Sequence, residues 1–208
     1  MMNFTNEHSF TRTPTFLYVG HVPILNASNH RRIAWKNGRG MTLEIATDAA
    51  TAGGNWSWRL SIADVVERAA FSVYPGVDRF LMLLDGNQLA IERGEHSLIV
   101  PTSGDAIEFA GEEIVVGVPS GTGVRDVNFM VRRDRWRGAL HILRDGCMQA
   151  DAHRVLVHAA HGDIEINVHG EPELLRKEQT LLSYSRVKIT NTSESAAIVC
   201  QMWPIDAP

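Results

Sequence analysis

Cysteine is scarce in this chain, and runs of one charge are absent. The 208 residues include two cysteines, Cys147 and Cys200, which are too few and too far apart for a disulfide framework or a CxxC site. Lys and Arg total 20 against 24 Asp and Glu, for a formal net charge of −4. A nucleic-acid binder usually carries a basic stripe. Asp134 interrupts the arginine cluster at 132–137, so we expect that cluster to be solvated or to brace a loop, and we predict no nucleic-acid partner.

Long hydrophobic runs are also missing. No run approaches the roughly 18 apolar residues that a membrane-spanning helix needs. The apolar patch at 16–25 is broken by His21 and Pro23, and it lacks the basic start and the cleavage site of a signal peptide. We therefore expect a soluble, cytoplasmic protein with no membrane partner.

Helical periodicity is rare, and apolar and polar residues alternate instead. In the segment 56–62 the apolar residues share one face of a predicted strand, and Arg59 and Ser61 lie on the other. Further short strands are predicted at 80–84, 89–93, 97–100, 105–109, 113–118, 125–133, 154–160, 163–168, 180–184, 186–191 and 197–203. Many short strands separated by turn residues are typical of an all-β sandwich or closed barrel.

The strand pattern predicts two related β-lobes. We place a soft boundary at Asp145-Gly146, which gives a first lobe at 15–145 and a second at 146–208. Residues 1–14 are predicted to form a polar, flexible tail.

Three segments carry motifs. Residues 35–45 are WKNGRGMTLEI, residues 58–63 are WRLSIA followed by FSVYPGVDR at 71–79, and residues 126–130 are DVNFM. In this order and spacing they resemble the HutD/Ves family, whose patterns are WKNGGGxTxEI, WRxSIA, FSxFPGxxR and DxNxM. Arg39 replaces a family glycine, a departure that bears on the backbone or the ligand of that loop.

The resemblance implies a two-lobed cupin fold, or bicupin, with the ligand cavity in the first lobe. It implies a small-molecule-binding protein linked to histidine utilisation. The expected role is a regulator of histidine degradation that binds N-formylglutamate or a similar small anionic ligand. By the same analogy we expect a homodimer, because exposed barrel edges often pair.

Many cupins hold a metal with an HxH pair, because residues i and i+2 point to one side of a strand. This chain has nine histidines and no HxH. The segment YPGVDR at 74–79 occupies the corresponding place in the first lobe. In the second lobe His158 and His161 would face opposite ways, as expected of surface or turn histidines. We predict no bound metal and no other cofactor.

The polar strand faces are the candidate ligand site. Asp126, Asn128 and Met130 share one face of their strand. If this face and that of Arg59 and Ser61 line the cavity, they suit a ligand with a carboxylate and an amide or formyl group. The Arg59 guanidinium can bind a carboxylate through two parallel hydrogen bonds.

Two interpretations of Arg59 stay open at this level. Arg59 either anchors the ligand or pairs with Asp126 or Glu44 in a satisfied buried network, and both can hold together. Thr42 belongs to the same predicted ligand site.

The remaining motif residues also carry alternatives. In the loop at 35–40, Lys36 and Asn37 form either a rim that holds an anion or a tight turn with Lys36 in solvent. Phe71 either walls the pocket or packs in the core. Arg79 is expected to be a salt-bridging strand residue rather than a ligand contact.

Binding is favoured over catalysis, and no catalytic residue is assigned. No nucleophile elbow is present. One alternative is a metal-free cupin isomerase or hydrolase acting on a small carboxylic acid, with Glu44 or Asp126 as base. The other is a Ves-like, stress-related protein without a histidine-pathway link.

Overall fold

The computed structural model describes residues 17–19, 22–35, 40–50, 54–192 and 194–205. Within these ranges the chain forms twenty β-strands, β1 to β20, and one 3-10 turn at Ala27–Asn29. None of the described segments is a helix long and apolar enough to cross a membrane. The tail predicted at 1–14 lies outside the described residues.

Two sheets are built from residues 31–132. Sheet I contains β3 (Arg31–Ala34), β4 (Gly40–Thr47), β5 (Trp58–Val65), β7 (Val77–Asp85), β10 (Ile107–Ala110) and β12 (Val124–Arg132). Its strand order is β10-β7-β12-β5-β4-β3. Sheet II contains β6 (Ala69–Ala70), β8 (Leu89–Arg93), β9 (His96–Ile99) and β11 (Val116–Pro119), in the order β6-β11-β8-β9.

Two further sheets are built mainly from residues 136–204, and one of them also includes strands from residues 17–25. Sheet III contains β1 (Leu17–Val19), β2 (Val22–Leu25), β13 (Trp136–Leu143), β15 (Arg154–Ala159), β18 (Thr180–Ser183) and β20 (Ala197–Pro204), in the order β1-β2-β18-β15-β20-β13. Sheet IV contains β14 (Gly146–Ala150), β16 (Ile164–Val168), β17 (Glu171–Leu175) and β19 (Val187–Asn191), in the order β14-β19-β16-β17.

The four sheets stack in the order II–I–III–IV through three apolar clusters. Sheets I and II enclose one cluster that includes Leu81 and Ile91, and we call this pair the first sandwich. Sheets III and IV enclose a second cluster that includes Val157 and Ile166, and they form the second sandwich. The third cluster joins sheet I to sheet III, with Phe129 among its fully buried members.

Strand pairing crosses the boundary predicted at Asp145-Gly146. Strand β2 pairs with β18, and β13 pairs with β20 along its whole length. Strands β2 and β13 precede the predicted boundary and strands β18 and β20 follow it, yet all four belong to sheet III. The division into 15–145 and 146–208 itself stays a prediction.

The alternation predicted for the segment 56–62 is confirmed from Trp58 onward. Trp58, Leu60 and Ile62 are buried in the cluster between the sandwiches. Trp56 precedes β5, and its ring lies 6.0 Å from that of Tyr74. Of the sandwich and the closed barrel that the strand pattern allowed, the structure has the sandwich arrangement, since among the described residues no sheet closes on itself.

The arginine cluster braces the turn between β12 and β13, as expected. Arg133 Nε lies 2.6 Å from Asp78 Oδ1, and its Nη1 lies 3.0 Å from Glu112 Oε1. Arg133 Nη2 also donates to the Val77 carbonyl at 3.2 Å. These bonds tie the turn to the start of β7.

We predict that Phe129→Ala lowers the free energy of unfolding by about 3–5 kcal/mol, the usual cost of removing a large buried ring. Phe129 is fully buried between the sandwiches, whereas Ile114 is 78% exposed and Ile114→Ala is the matched control. Urea denaturation measures both. A loss no larger than that of the control would contradict the packing of sheet I on sheet III.

Candidate functional site

A cavity of about 270 Å³ opens between sheet I and the segment that precedes β7. Seven of the predicted site residues line it: Thr42, Arg59, Ser61, Phe71, Asp126, Asn128 and Met130. Trp35, Tyr74 and Arg79 line it as well. All three motif segments therefore meet at one place, although ligand contact by any of these residues stays a prediction.

Strand register explains why these residues meet. In sheet I, Met130 of β12 pairs with Arg59 of β5 on one side and with Arg79 of β7 on the other. Asn128 pairs with Ser61 in the next row on that face. Directly paired residues point to the same side of a sheet, so polar groups from three strands face the cavity.

Arg59 pairs with Glu44, as one of the two interpretations drawn from the sequence predicts, and ligand anchoring stays a prediction. It lines the cavity with 8% of its surface exposed, and its Nε lies 2.8 Å from Glu44 Oε2. The Nε–H is not aligned for a hydrogen bond, so the contact is an ion pair. Arg31 Nε approaches the other Glu44 oxygen at 3.6 Å. Glu44 thus orients Arg59 from behind the cavity wall.

Among the described residues Arg79 has no salt-bridge partner, so the predicted salt-bridging role is not what the structure shows. It is 4% exposed and lines the cavity. Its guanidinium carbon lies 5.1 Å from the ring centre of Phe71, 5.8 Å from that of Tyr74 and 4.9 Å from that of Phe109. Its Nη1 donates to the Ser72 carbonyl at 3.0 Å. Aromatic faces attract a guanidinium, and they replace the expected carboxylate.

The charge of Arg79 survives this burial. Burial lowers its pKa to about 10, with the nearby Asp126 acting in the opposite direction. The guanidinium is therefore protonated at neutral pH. Its Nε has no hydrogen-bond partner among the described residues, so the site holds a buried cationic donor that a ligand can use.

The rings of Phe71, Tyr74 and Phe109 form an aromatic box around Arg79, and the motif at 71–79 supplies two of the three. Phe71, Tyr74 and the Ser72 carbonyl all contact Arg79 at the end of the same segment. Gly117 lets Phe71 approach, since a Cβ there would lie 2.7 Å from the Phe71 ring. Phe71 thus walls the pocket and packs in the interior. The sequence signal for the aromatic contacts of Arg79 was the Phe-Ser-x-Tyr segment that precedes this arginine.

Asp126 is a buried carboxyl with no hydrogen-bond partner among the described residues. It is 1% exposed, and neither Oδ1 nor Oδ2 is bonded. Burial raises its pKa to about 7, against the opposing effect of Arg79 and with a smaller contribution from Asp64. Asn128 Oδ1 is also unbonded. The cavity therefore contains free acceptors beside its cations.

In the first motif, Trp35 is hydrogen-bonded to the start of β4. Its indole Nε1 donates to Thr42 Oγ1 at 2.8 Å, and its backbone N–H donates to the Gly40 carbonyl at 3.0 Å. A Cβ on Gly40 would lie 2.8 Å from the indole, so glycine is needed there. Lys36 and Asn37 lie outside the described residues, and their predicted role stays a prediction.

The second-lobe histidines do not converge. His158 is 2% exposed, which corrects the expected surface or turn position, and it bonds Thr180 Oγ1 at 2.9 Å. Burial lowers its pKa to about 3. His161 Nε2 lies 2.9 Å from Asp85 Oδ1. Across the described part of the chain, no three His, Cys, Asp or Glu side chains are grouped as a metal site requires.

The fold is all-β and cupin-like. It matches the crystal structure of protein YlbA from E. coli with a TM-score of 0.65 over 98% of this chain and 100% of that one. The two sequences are 9% identical, so this likeness shows the fold alone.

The chain belongs to the HutD family, whose model matches residues 27–200. A 21.2 kDa protein in the hutC 3' region of Pseudomonas putida is 30% identical over 88% of this chain and 94% of its own length. Protein Ves from Cronobacter sakazakii is 31% identical over 70% and 77%. The structure of HutD from Pseudomonas fluorescens is 26% identical over 88% and 99%, with a TM-score of 0.70.

We predict that Asp126→Asn raises the free energy of unfolding relative to the wild type by more at pH 8 than at pH 5. The folded pKa of Asp126 is about 7 and its ordinary value is 3.8. The neutral carboxyl therefore contributes stability that is complete below pH 4 and is lost as the pH rises through 7. Urea denaturation from pH 5 to 8 should show the variant gaining about 2.5–3 kcal/mol on the wild type, because the loss runs at about 1.36 kcal/mol per pH unit and ends near pH 7.

The difference between variant and wild type isolates Asp126 from other titrating groups such as His158. Asp105, whose side chain is 99% exposed, provides the control Asp105→Asn. A variant curve that runs parallel to the wild type would show that Asp126 is ionised throughout this range.

Proposed function

We propose that this protein binds a small anionic metabolite in the cavity of the first sandwich and thereby regulates histidine degradation without catalysing a step. N-formylglutamate, or a similar acid with carboxylate and amide groups, is the proposed ligand. The observation that carries the proposal is the pair of buried guanidinium groups, Arg59 and Arg79, which belong to one row of the cavity wall on either side of Met130.

Charge favours an anion at this site. Arg59 is balanced by Glu44, whereas Arg79 is held by aromatic rings and a carbonyl. With Asp126 neutral, the wall carries an uncompensated positive charge. A hydrogen bond to a charged group contributes about 1.5–3 kcal/mol. Because both donors are buried, salt screens this interaction only weakly.

Size and donor chemistry favour a small acid with an amide. The cavity volume of about 270 Å³ lies just below the range of roughly 300–1,000 Å³ that is common for drug-sized ligands. The unbonded Asn128 Oδ1 can accept an N–H. A carboxylate at the guanidinium groups with an N–H at Asn128 matches N-formylglutamate.

The relatives support the link to histidine utilisation. One is named for its position in a hutC 3' region and another is named HutD. The relative named Ves supports the alternative of a stress-related role, which gene neighbourhood would separate from the first. The homodimer expected from the resemblance stays a prediction.

Isothermal titration calorimetry with N-formylglutamate, N-formimidoylglutamate, urocanate and glutamate tests the proposal. We expect Arg59→Gln to weaken binding roughly 10- to 100-fold, the equivalent of losing one charged hydrogen-bonding partner. Arg59→Lys keeps the charge but loses the planar fork, and it should weaken binding by roughly tenfold. Circular dichroism confirms that each variant is folded.

Arg68→Gln is the matched control, because the Arg68 side chain is 63% exposed and pairs with Glu92. It should bind as the wild type does. No heat with any of the four compounds at millimolar concentration would remove the proposed ligand class. Equal affinity in wild type and both Arg59 variants would remove Arg59 as the anchor.

A second candidate function is a cupin-type enzyme that acts on a small carboxylic acid. The buried Asp126 carboxyl, with a pKa of about 7, favours it, because a general acid–base works best with a pKa near the operating pH. Turnover of one of the test acids, lost in Asp126→Asn with binding retained, would support this candidate over pure binding.

A further inference from the structure

Asp126 stands out among the groups of the cavity wall because its two oxygens are buried and unbonded in the described structure. An ionised carboxylate without hydrogen bonds is costly to bury, whereas a neutral carboxyl is much less so. A neutral carboxyl also gains a donor, since its O–H can be given to an acceptor. The cavity is the space into which that donor can point.

We propose that Asp126 is the residue that selects an anionic ligand: it binds as a carboxylic acid, donates a hydrogen bond to a ligand carboxylate, and so one proton enters the site with each ligand. The inference rests on the proposed function, because it requires an anion in the first sandwich.

The charged groups around Asp126 fit this role. Arg79 on β7 acts on it most strongly from one side, and Arg59 on β5 lies in the cavity with its partner Glu44 on β4. Asp64, on β5, adds a negative charge. None of the described residues that line the cavity is a histidine, so Asp126 is the group whose protonation changes near neutral pH.

An incoming carboxylate strengthens the neutral form. Two carboxylates in one site cannot both be ionised without strong repulsion, and an O–H donated to a carboxylate is a short, strong hydrogen bond. By linkage, a ligand that prefers the protonated site raises the pKa of Asp126 further. Affinity should therefore fall about tenfold per pH unit once the pH exceeds the value of the free protein, about 7.

The opposite role for Asp126 makes the opposite prediction. If the ionised carboxylate accepted an N–H from the ligand, binding would release protons and affinity would rise with pH. Whether ligand binding takes up or releases protons thus decides whether Asp126 donates or accepts the hydrogen bond.

The experiment is calorimetric titration of the full chain with N-formylglutamate and with glutarate, a dicarboxylate that lacks the amide. Each titration is repeated in two buffers of different ionisation enthalpy, HEPES and Tris at pH 8, and MES and Bis-Tris at pH 6. We expect uptake of roughly 0.9 proton per ligand at pH 8 and roughly 0.1 at pH 6, from a pKa of about 7.

Asp126→Asn tests the residue itself. The amide cannot ionise but can still donate, so this variant should take up no proton, bind equally at both pH values, and bind about tenfold more tightly than the wild type at pH 8. Asp105→Asn, on an exposed side chain, should keep the pH dependence of the wild type.

The outcomes separate the two proposals. Binding with no proton uptake, or binding that strengthens with pH, would overturn the role of Asp126 and leave the anion cavity standing. No binding of either acid by the wild type would overturn both. Uptake that persists in folded Asp126→Asn would assign the proton to another group and refute this inference.

Discussion

The burial of two guanidinium groups inside a β-sandwich is the constraint around which the cavity is built. Moving a charge out of water costs several kcal/mol per ion unless partners replace the lost hydration. Arg59 is stabilised by Glu44. Arg79 instead has the rings of Phe71 and Phe109. The motif residues at 71–79 are thus explained by what an interior cation needs, and these partners hold both donors ready for a ligand.

The two sandwiches share an architecture but differ in what fills them. The second is packed by an apolar cluster that includes Val157, Ile166 and Val199. In the first, a comparable cluster around Leu81 and Ile91 fills one end, and the polar cavity occupies the rest. The sheet that carries the cavity also carries, on its other face, the core that joins the sandwiches. The second sandwich therefore packs against the strands of the site on the side opposite the cavity.

The sequence predicted the faces of β5 and β12 because alternation alone decides them. It failed for Arg79, since β7 is apolar almost throughout, and an arginine in such a strand suggests a salt bridge. The aromatic box depends on a turn that folds Phe71 back over β7, which no periodicity shows. The pairing of β2 with β18 joins residues that are far apart in the chain, and local patterns carry no information on such partners.

Strands β5, β7 and β12 have a different environment on each face, which limits how this chain can vary. Their side chains alternate between the cavity and the core that joins the sandwiches, so a one-residue slip exchanges the two sets. A single insertion just before Asp126 in β12 would move Asp126 into the row of Ile62 and Met82 and Phe129 into the row of Arg59 and Arg79. Changes of length are therefore confined to the connecting segments, and within these three strands ligand preference can diverge only through substitutions at fixed positions.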